Sequence, residues 1–155
     1  MHLIIGGTSQ DADRLIGKLL EDGKQVIVLN DLSSSVREEI NKQVIFIKGH
    51  YTDEQVISFL FRTFAIKKVY MFTADNSIGL CMEDAKRYYN NHISGPFRIV
   101  KTMAENGIHS FHLCVSAFEQ QESANPSIRE KELLEQLIND YCQVYGVHFY
   151  SGIPA

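Results

Sequence analysis

The sequence predicts a three-layer α/β fold around a doubly wound parallel sheet, and three observations carry that expectation. Apolar runs of four to six residues recur along the whole chain, and each is followed by a segment of helical spacing. The runs are nearly continuous rather than alternating, as in strands buried on both faces of a parallel sheet. Right-handed crossovers between such units favour the strand order 3-2-1-4-5-6.

The elements follow in order. His2-Leu3-Ile4-Ile5 is the first strand, and Asp11 to Asp22 an amphipathic helix closed by Gly23. Gln25 to Asn30 is the second strand and Ser34 to Lys42 a short helix. Val44 to Ile47 is the third strand, with a helix from about Asp53 to Phe64 behind it. Lys68 to Phe72 is the fourth. It leads into a long helical stretch from about Met82 to Glu105, with Gly107 just past its end. Pro96 falls inside that stretch and is expected to kink or divide it. Ser110 to Val115 is the fifth strand. Asn125-Pro126 supplies an N-cap and a first-turn proline for a helix reaching Tyr145. Its Leu134, Leu137, Ile138, Tyr141, Cys142 and Tyr145 share one face. Val147 to Tyr150 is the sixth strand.

With 155 residues the chain reads as a single domain, 1–155, large enough to bury a core. Its apolar fraction is 45%, and its mean hydropathy of -0.13 is that of a soluble globular protein. No apolar run spans a bilayer, so no membrane partner is expected. A strand starting at residue 2 leaves no room for a signal peptide. The formal charge of -4 gives no basic footprint for nucleic acid. Cys81, Cys114 and Cys142 have no C-x-x-C spacing, so neither a zinc site nor a disulfide framework is expected, and the reading is cytoplasmic. His109 and His112 are separated by two residues at a strand entrance and so face roughly opposite ways, which argues against a metal site.

The most informative local feature is Gly6-Gly7-Thr8-Ser9-Gln10-Asp11-Ala12, between the first strand and the first helix. A strand, a glycine turn and a helix N-terminus together form a cradle for a pyrophosphate, because free N–H groups point at it. The spacing is kept here while the residues have changed.

Ile5-Gly6-Gly7-Thr8, Val28 to Ser33, Tyr88-Tyr89-Asn90-Asn91 with Gly95, and Lys131 to Gln136 occur in an order and at intervals that carry a resemblance. The chain resembles the N-terminal, Rossmann-like half of the extended short-chain dehydrogenase/reductases, in particular the NAD-dependent nucleotide-sugar epimerases and dehydratases. The likeness implies a cofactor site at Gly6, Thr8, Ser9, Asp31, His50 and Thr73. Gly6 matches the first glycine of the family's loop, Ser9 replaces the second and Ala12 the third. Asn30 takes the place of the acidic residue that holds the adenosine ribose, with Asp31 one position later. Asp31 substitutes only if the strand has already ended. Gly49-His50 replaces a Gly-Asp that contacts the adenine.

The resemblance also implies catalytic positions. Lys131 matches the family's lysine and Ser116 its serine, but Ser127 stands where a Tyr-x-x-x-Lys motif places the general base. A serine hydroxyl is too short and too weakly acidic to replace a phenolate. The family's C-terminal substrate domain has no counterpart in these 155 residues. The expectation is a degenerate, catalytically inactive domain that binds a nucleotide, a nucleotide-sugar or a partner protein, with NAD or NADP held weakly or not at all. The alternatives are the cofactor domain of an active epimerase or reductase, and a structural paralogue that binds no nucleotide. The family's mode of pairing implies a homodimer through helices 82–105 and 126–145.

Overall fold

The computed structural model describes residues 1–6, 9–32, 41–72, 93–114 and 126–154, with backbone alone over 126–131. Six parallel strands form one sheet: β1 (His2–Ile5), β2 (Val26–Asn30), β3 (Ile45–Lys48), β4 (Lys68–Phe72), β5 (Ser110–Cys114) and β6 (His148–Ser151). Their order is β3-β2-β1-β4-β5-β6, as the sequence predicts. Registers are continuous, with Ile5 opposite Leu29 on one side and Met71 on the other.

The order reverses beside β1, which determines where each helix goes. Helix α1 (Gln10–Glu21) follows β1 and covers one face of the sheet. Its Ala12, Leu15, Ile16 and Leu19 pack on Ile4, Val26, Val28, Tyr70, Phe72 and Cys114. The i, i+3, i+4, i+7 spacing gives α1 one apolar side. Helices α2 (Glu54–Thr63), α3 (Gly95–Glu105) and α4 (Pro126–Val144) cover the opposite face. There Ile57, Leu60, Ile99, Met103, Ile138 and Cys142 close over Leu3, Ile27, Val69 and Phe111. Alternate residues of each strand therefore serve two cores, which is why the strands read as unbroken apolar runs.

The structure refines several expectations. Pro96 sits in the first turn of α3, where no intrahelical N–H is missed, behind a π-type turn at Ile93 and Ser94. Gly107 follows α3 at φ +71°, the left-handed conformation anticipated for it. The helix expected from Ser34 lies outside the described residues except at its end, where Asn41 and Lys42 are not helical. On α4, Ile138 and Cys142 are buried, but Leu137 is 49% exposed. It joins Leu133 and Val144 on an outer stripe, because positions 133, 137 and 144 fall within about 40° on a helix of 3.6 residues per turn.

Candidate functional site

The described candidate residues converge on the C-terminal edge of the sheet beside β1, the crevice where doubly wound sheets take their ligands. Gly6 is the first residue past β1. It has φ +77°, and its N–H donates to Leu29 O at 3.0 Å. A Cβ built on it would stand 2.5 Å from Phe72 O at the end of β4. Glycine is thus required by the close approach of β1 and β4, whether or not a ligand is present.

Ser9 is the N-cap of α1, with φ -90° and ψ 160°. Its Oγ accepts the Ala12 N–H at 3.2 Å, and its carbonyl accepts the Asp13 N–H at 2.9 Å. Ser9 therefore does more than place a Cβ in the loop. Its hydroxyl occupies a helix N–H that a phosphate oxygen would need. Asp11 and Asp13 add two carboxylates to the first turn, and Arg14 pairs with Asp11 at 3.7 Å. Acidic residues suit the positive end of a helix but repel a phosphate brought to the same place. The run Ser9-Gln10-Asp11-Ala12-Asp13 already carries this signal as an N-cap followed by first-turn acids.

At the end of β2, Asn30 is only 8% exposed. Its Oδ1 accepts the Leu32 N–H at 2.6 Å, and Leu32 takes φ +62°. The strand has thus ended before Asp31, so the condition for Asp31 to stand at this edge is met. Asp31 Oδ2 lies 4.0 Å from His50 Nε2. Across the sheet, Gly49 N–H donates to Asn30 O at 3.0 Å and places His50 next to this turn. His50 Nδ1 accepts the Thr52 N–H at 3.2 Å and lies 2.6 Å from Thr52 Oγ1. In the neutral ring the proton then resides on Nε2, which faces Asp31. The imidazole stacks on Tyr51 with centroids 4.5 Å apart.

Gly6, Ser9, Asp31 and His50 are therefore brought to one edge. Thr8, Thr73 and Ser116 lie outside the described residues, as does Gly7. Ser127 and Lys131 lie on α4, four residues apart, with backbone alone described. Glu135, one turn beyond Lys131, accepts a hydrogen bond from Ser151 Oγ at 3.0 Å. Among the described residues no cluster of His, Cys, Asp or Glu is arranged to hold a metal ion, and no helix is long and apolar enough to cross a membrane.

A second feature lies on the other face of the sheet. A cleft of about 210 Å³ between α2 and α3 is lined by Tyr51, Ser58, Arg98 and Lys101 among others. Arg98 is already engaged there, with Glu54 at 3.6 Å and Thr52 O at 3.5 Å.

A doubly wound sheet with this edge is the architecture of a dinucleotide-binding domain, and comparison with known proteins narrows the class. Residues 2–155 match the NAD dependent epimerase/dehydratase family, and the chain belongs to that family. It is similar to the UDP-glucose 4-epimerase of Halalkalibacterium halodurans, at 28% identity over 130 residues, covering 84% of this chain and 39% of the relative. The Erwinia amylovora UDP-glucose 4-epimerase is 24% identical, covering 91% of this chain and 48% of the relative. The chain thus spans less than half the length of these relatives. Among solved structures, the Thermotoga maritima UDP-glucose 4-epimerase with UDP-glucose superposes at TM-score 0.79 and 19% identity, covering 97% of this chain and 53% of that one. The Thermus thermophilus enzyme in complex with NAD does so at 0.78 and 22%, with the same coverage of both chains. These likenesses establish the fold.

Proposed function

We propose that this chain is a non-catalytic member of the family that acts by binding, with a weakened nucleotide site in the crevice at Gly6, Ser9, Asp31 and His50. The observation that carries this reading is the Ser9 hydroxyl seated on the Ala12 N–H at 3.2 Å, which closes a phosphate donor from within the chain. Ser127 in place of the phenolic base is the supporting sequence feature. Loss of a general acid–base group costs on the order of a hundredfold to ten-thousandfold in rate. Poor positioning of both reactants compounds that loss. NAD or NADP is bound weakly or not at all.

The exposed stripe of Leu133, Leu137 and Val144 on α4 favours a homodimer through α3 and α4, since apolar side chains aligned on one helix face suit a partner helix. The buried unpaired thiols of Cys114 and Cys142 suit a cytoplasmic protein.

Two measurements test the function. Calorimetric titration with NAD, NADP and UDP-sugars is expected to give weak or no binding. NADH absorbance followed with UDP- and dTDP-sugars is expected to show no turnover, for the wild type and for Ser127→Tyr alike. Reproducible wild-type turnover abolished by Lys131→Ala makes the chain an active epimerase or reductase instead.

A further inference from the structure

We propose that the N-terminal end of the sheet, opposite the crevice, is a docking surface for an acidic, Asp/Glu-rich segment of a partner protein. The parallel register gathers three lysines there. His2 opens β1, with Val26 opposite it on β2 and Lys68 opposite it on β4. Lys67 N–H donates to Met1 O at 2.8 Å and His2 N–H to Gln25 O at 2.9 Å, so Lys67 and Lys24 flank the same strand start. All three lysines are exposed, and none forms an ion pair with a described residue. A single unpaired surface lysine means little, since an exposed pair contributes about 1 kcal/mol at most. Here, however, acids outnumber bases in the chain by 19 to 15, yet every charge that bears on His2 is positive. Such a concentration of one sign attracts the opposite sign.

The rings beside the lysines decide between polyanions. His2, Tyr70, His112 and Tyr150 form one row across β1, β4, β5 and β6. Neighbouring centroids are 5.8, 4.6 and 4.5 Å apart, with planes inclined by 13°, 28° and 15°. Lys68 lies two residues before Tyr70 on β4, so lysine and ring row share one face of the sheet. Stacked in this way, the rings cover each other's faces and turn their edges away from the sheet. Nucleobases stack on open ring faces, which the row offers only at its Tyr150 end. Ring edges carry partial positive charge, and imidazole and phenol supply N–H and O–H donors. Carboxylates suit both the edges and the lysine ammonium groups, which favours an acidic peptide over a nucleic acid. Gly6, Ser9, Asp31 and His50 lie at the other end of the strands, so this surface and the crevice stand or fall separately.

The test is a titration of the full chain with acetylated octaglutamate, read by amide shifts and calorimetry at low and at physiological ionic strength. Octaglutamine and octathymidylate are titrated beside it. Octaglutamate is expected to shift the amides of His2, Lys24, Lys67 and Lys68 and to lose affinity severalfold as salt is raised, whereas octaglutamine leaves them unmoved. Lys67→Glu with Lys68→Glu weakens octaglutamate binding about tenfold or more while the melting temperature stays near wild type. Arg62→Glu with Lys101→Glu makes the same change of net charge on α2 and α3, and costs less than about threefold. Octathymidylate binding more tightly than octaglutamate overturns the choice of an acidic peptide in favour of nucleic acid. No shift with octaglutamate, or an equal loss in the two double variants, overturns the docking surface itself.

Discussion

Replacing Gly6 by alanine separates what the fold requires from what a ligand requires. The new methyl carbon would stand 2.5 Å from the Phe72 carbonyl oxygen, well inside contact distance, and 3.6 Å from Phe72 Cβ. The obstacle is backbone of the neighbouring strand, so no side-chain rotation relieves it. Alanine also disfavours the φ of +77° by about 1–2 kcal/mol. Forcing extra volume into close-packed surroundings costs about 1–3 kcal/mol more. The sum, about 2–5 kcal/mol, is a large share of the 5–15 kcal/mol typical of a domain. Urea unfolding followed by far-ultraviolet circular dichroism measures it directly. With a slope of about 2 kcal/mol/M, the midpoint falls by roughly 1–2.5 M. Gly17→Ala is the control, because Gly17 lies inside α1 with nothing within 4 Å of the added carbon. It is expected to stabilise by about 0.5–1 kcal/mol. A Gly6→Ala protein as stable as wild type would refute the reasoning and return Gly6 to the list of ligand-dedicated residues.

Ser9→Gly together with Asn30→Asp should strengthen NAD binding in a calorimetric titration, at a stability cost of only a few tenths of a kcal/mol for the lost cap. Tight NAD binding by the unaltered chain refutes the loop argument. Light scattering at micromolar concentration should report a dimer, and Leu133→Lys with Leu137→Lys should convert it to monomer; a wild-type monomer rejects the α3–α4 interface. His2 and His112 are both held down at about 4, first by burial and then by nearby cations, Lys68 among them for both. The unfolded chain therefore binds more protons between about pH 6.5 and 4, so stability falls as pH drops through that window and is level above it. Allowing for the partial exposure of both rings, about 1 kcal/mol each is a reasonable size, or about 2–4 °C in melting temperature per ring. A His112→Phe variant should show a shallower acid decline by calorimetry, and an unchanged slope sinks the assignment.

Much of the architecture was legible because the code for it is redundant. Each strand announces itself by an apolar run such as Val26 to Leu29, buried throughout. Each helix repeats an independent period, and chain handedness then leaves one sheet order. Element ends were read to within a residue or two, and β2 ends at Asn30 as the sequence predicts. What the letters Asn30-Asp31-Leu32 do not say is that Asn30 Oδ1 turns back to accept the Leu32 N–H. Leu137 was misplaced for a related reason: at the margin of an apolar stripe, one helical step decides between core and solvent. The acids at 11 and 13 were visible, but their meaning depends on knowing that Ser9 caps the helix they begin.

The loop that resembles a phosphate cradle therefore holds residues retained for two different reasons. Gly6 persists because β1 and β4 converge too closely for any side chain, a demand made by the sheet alone. Ser9 meets a demand that the helix itself makes. Unpaired N–H groups at a helix start need an acceptor, and the chain provides one 3.2 Å away. The retained glycine thus reports ancestry and packing, whereas the serine reports present use. When the two disagree about a dinucleotide, the serine is the better witness, because it would have to break its own hydrogen bond before a phosphate could take its place.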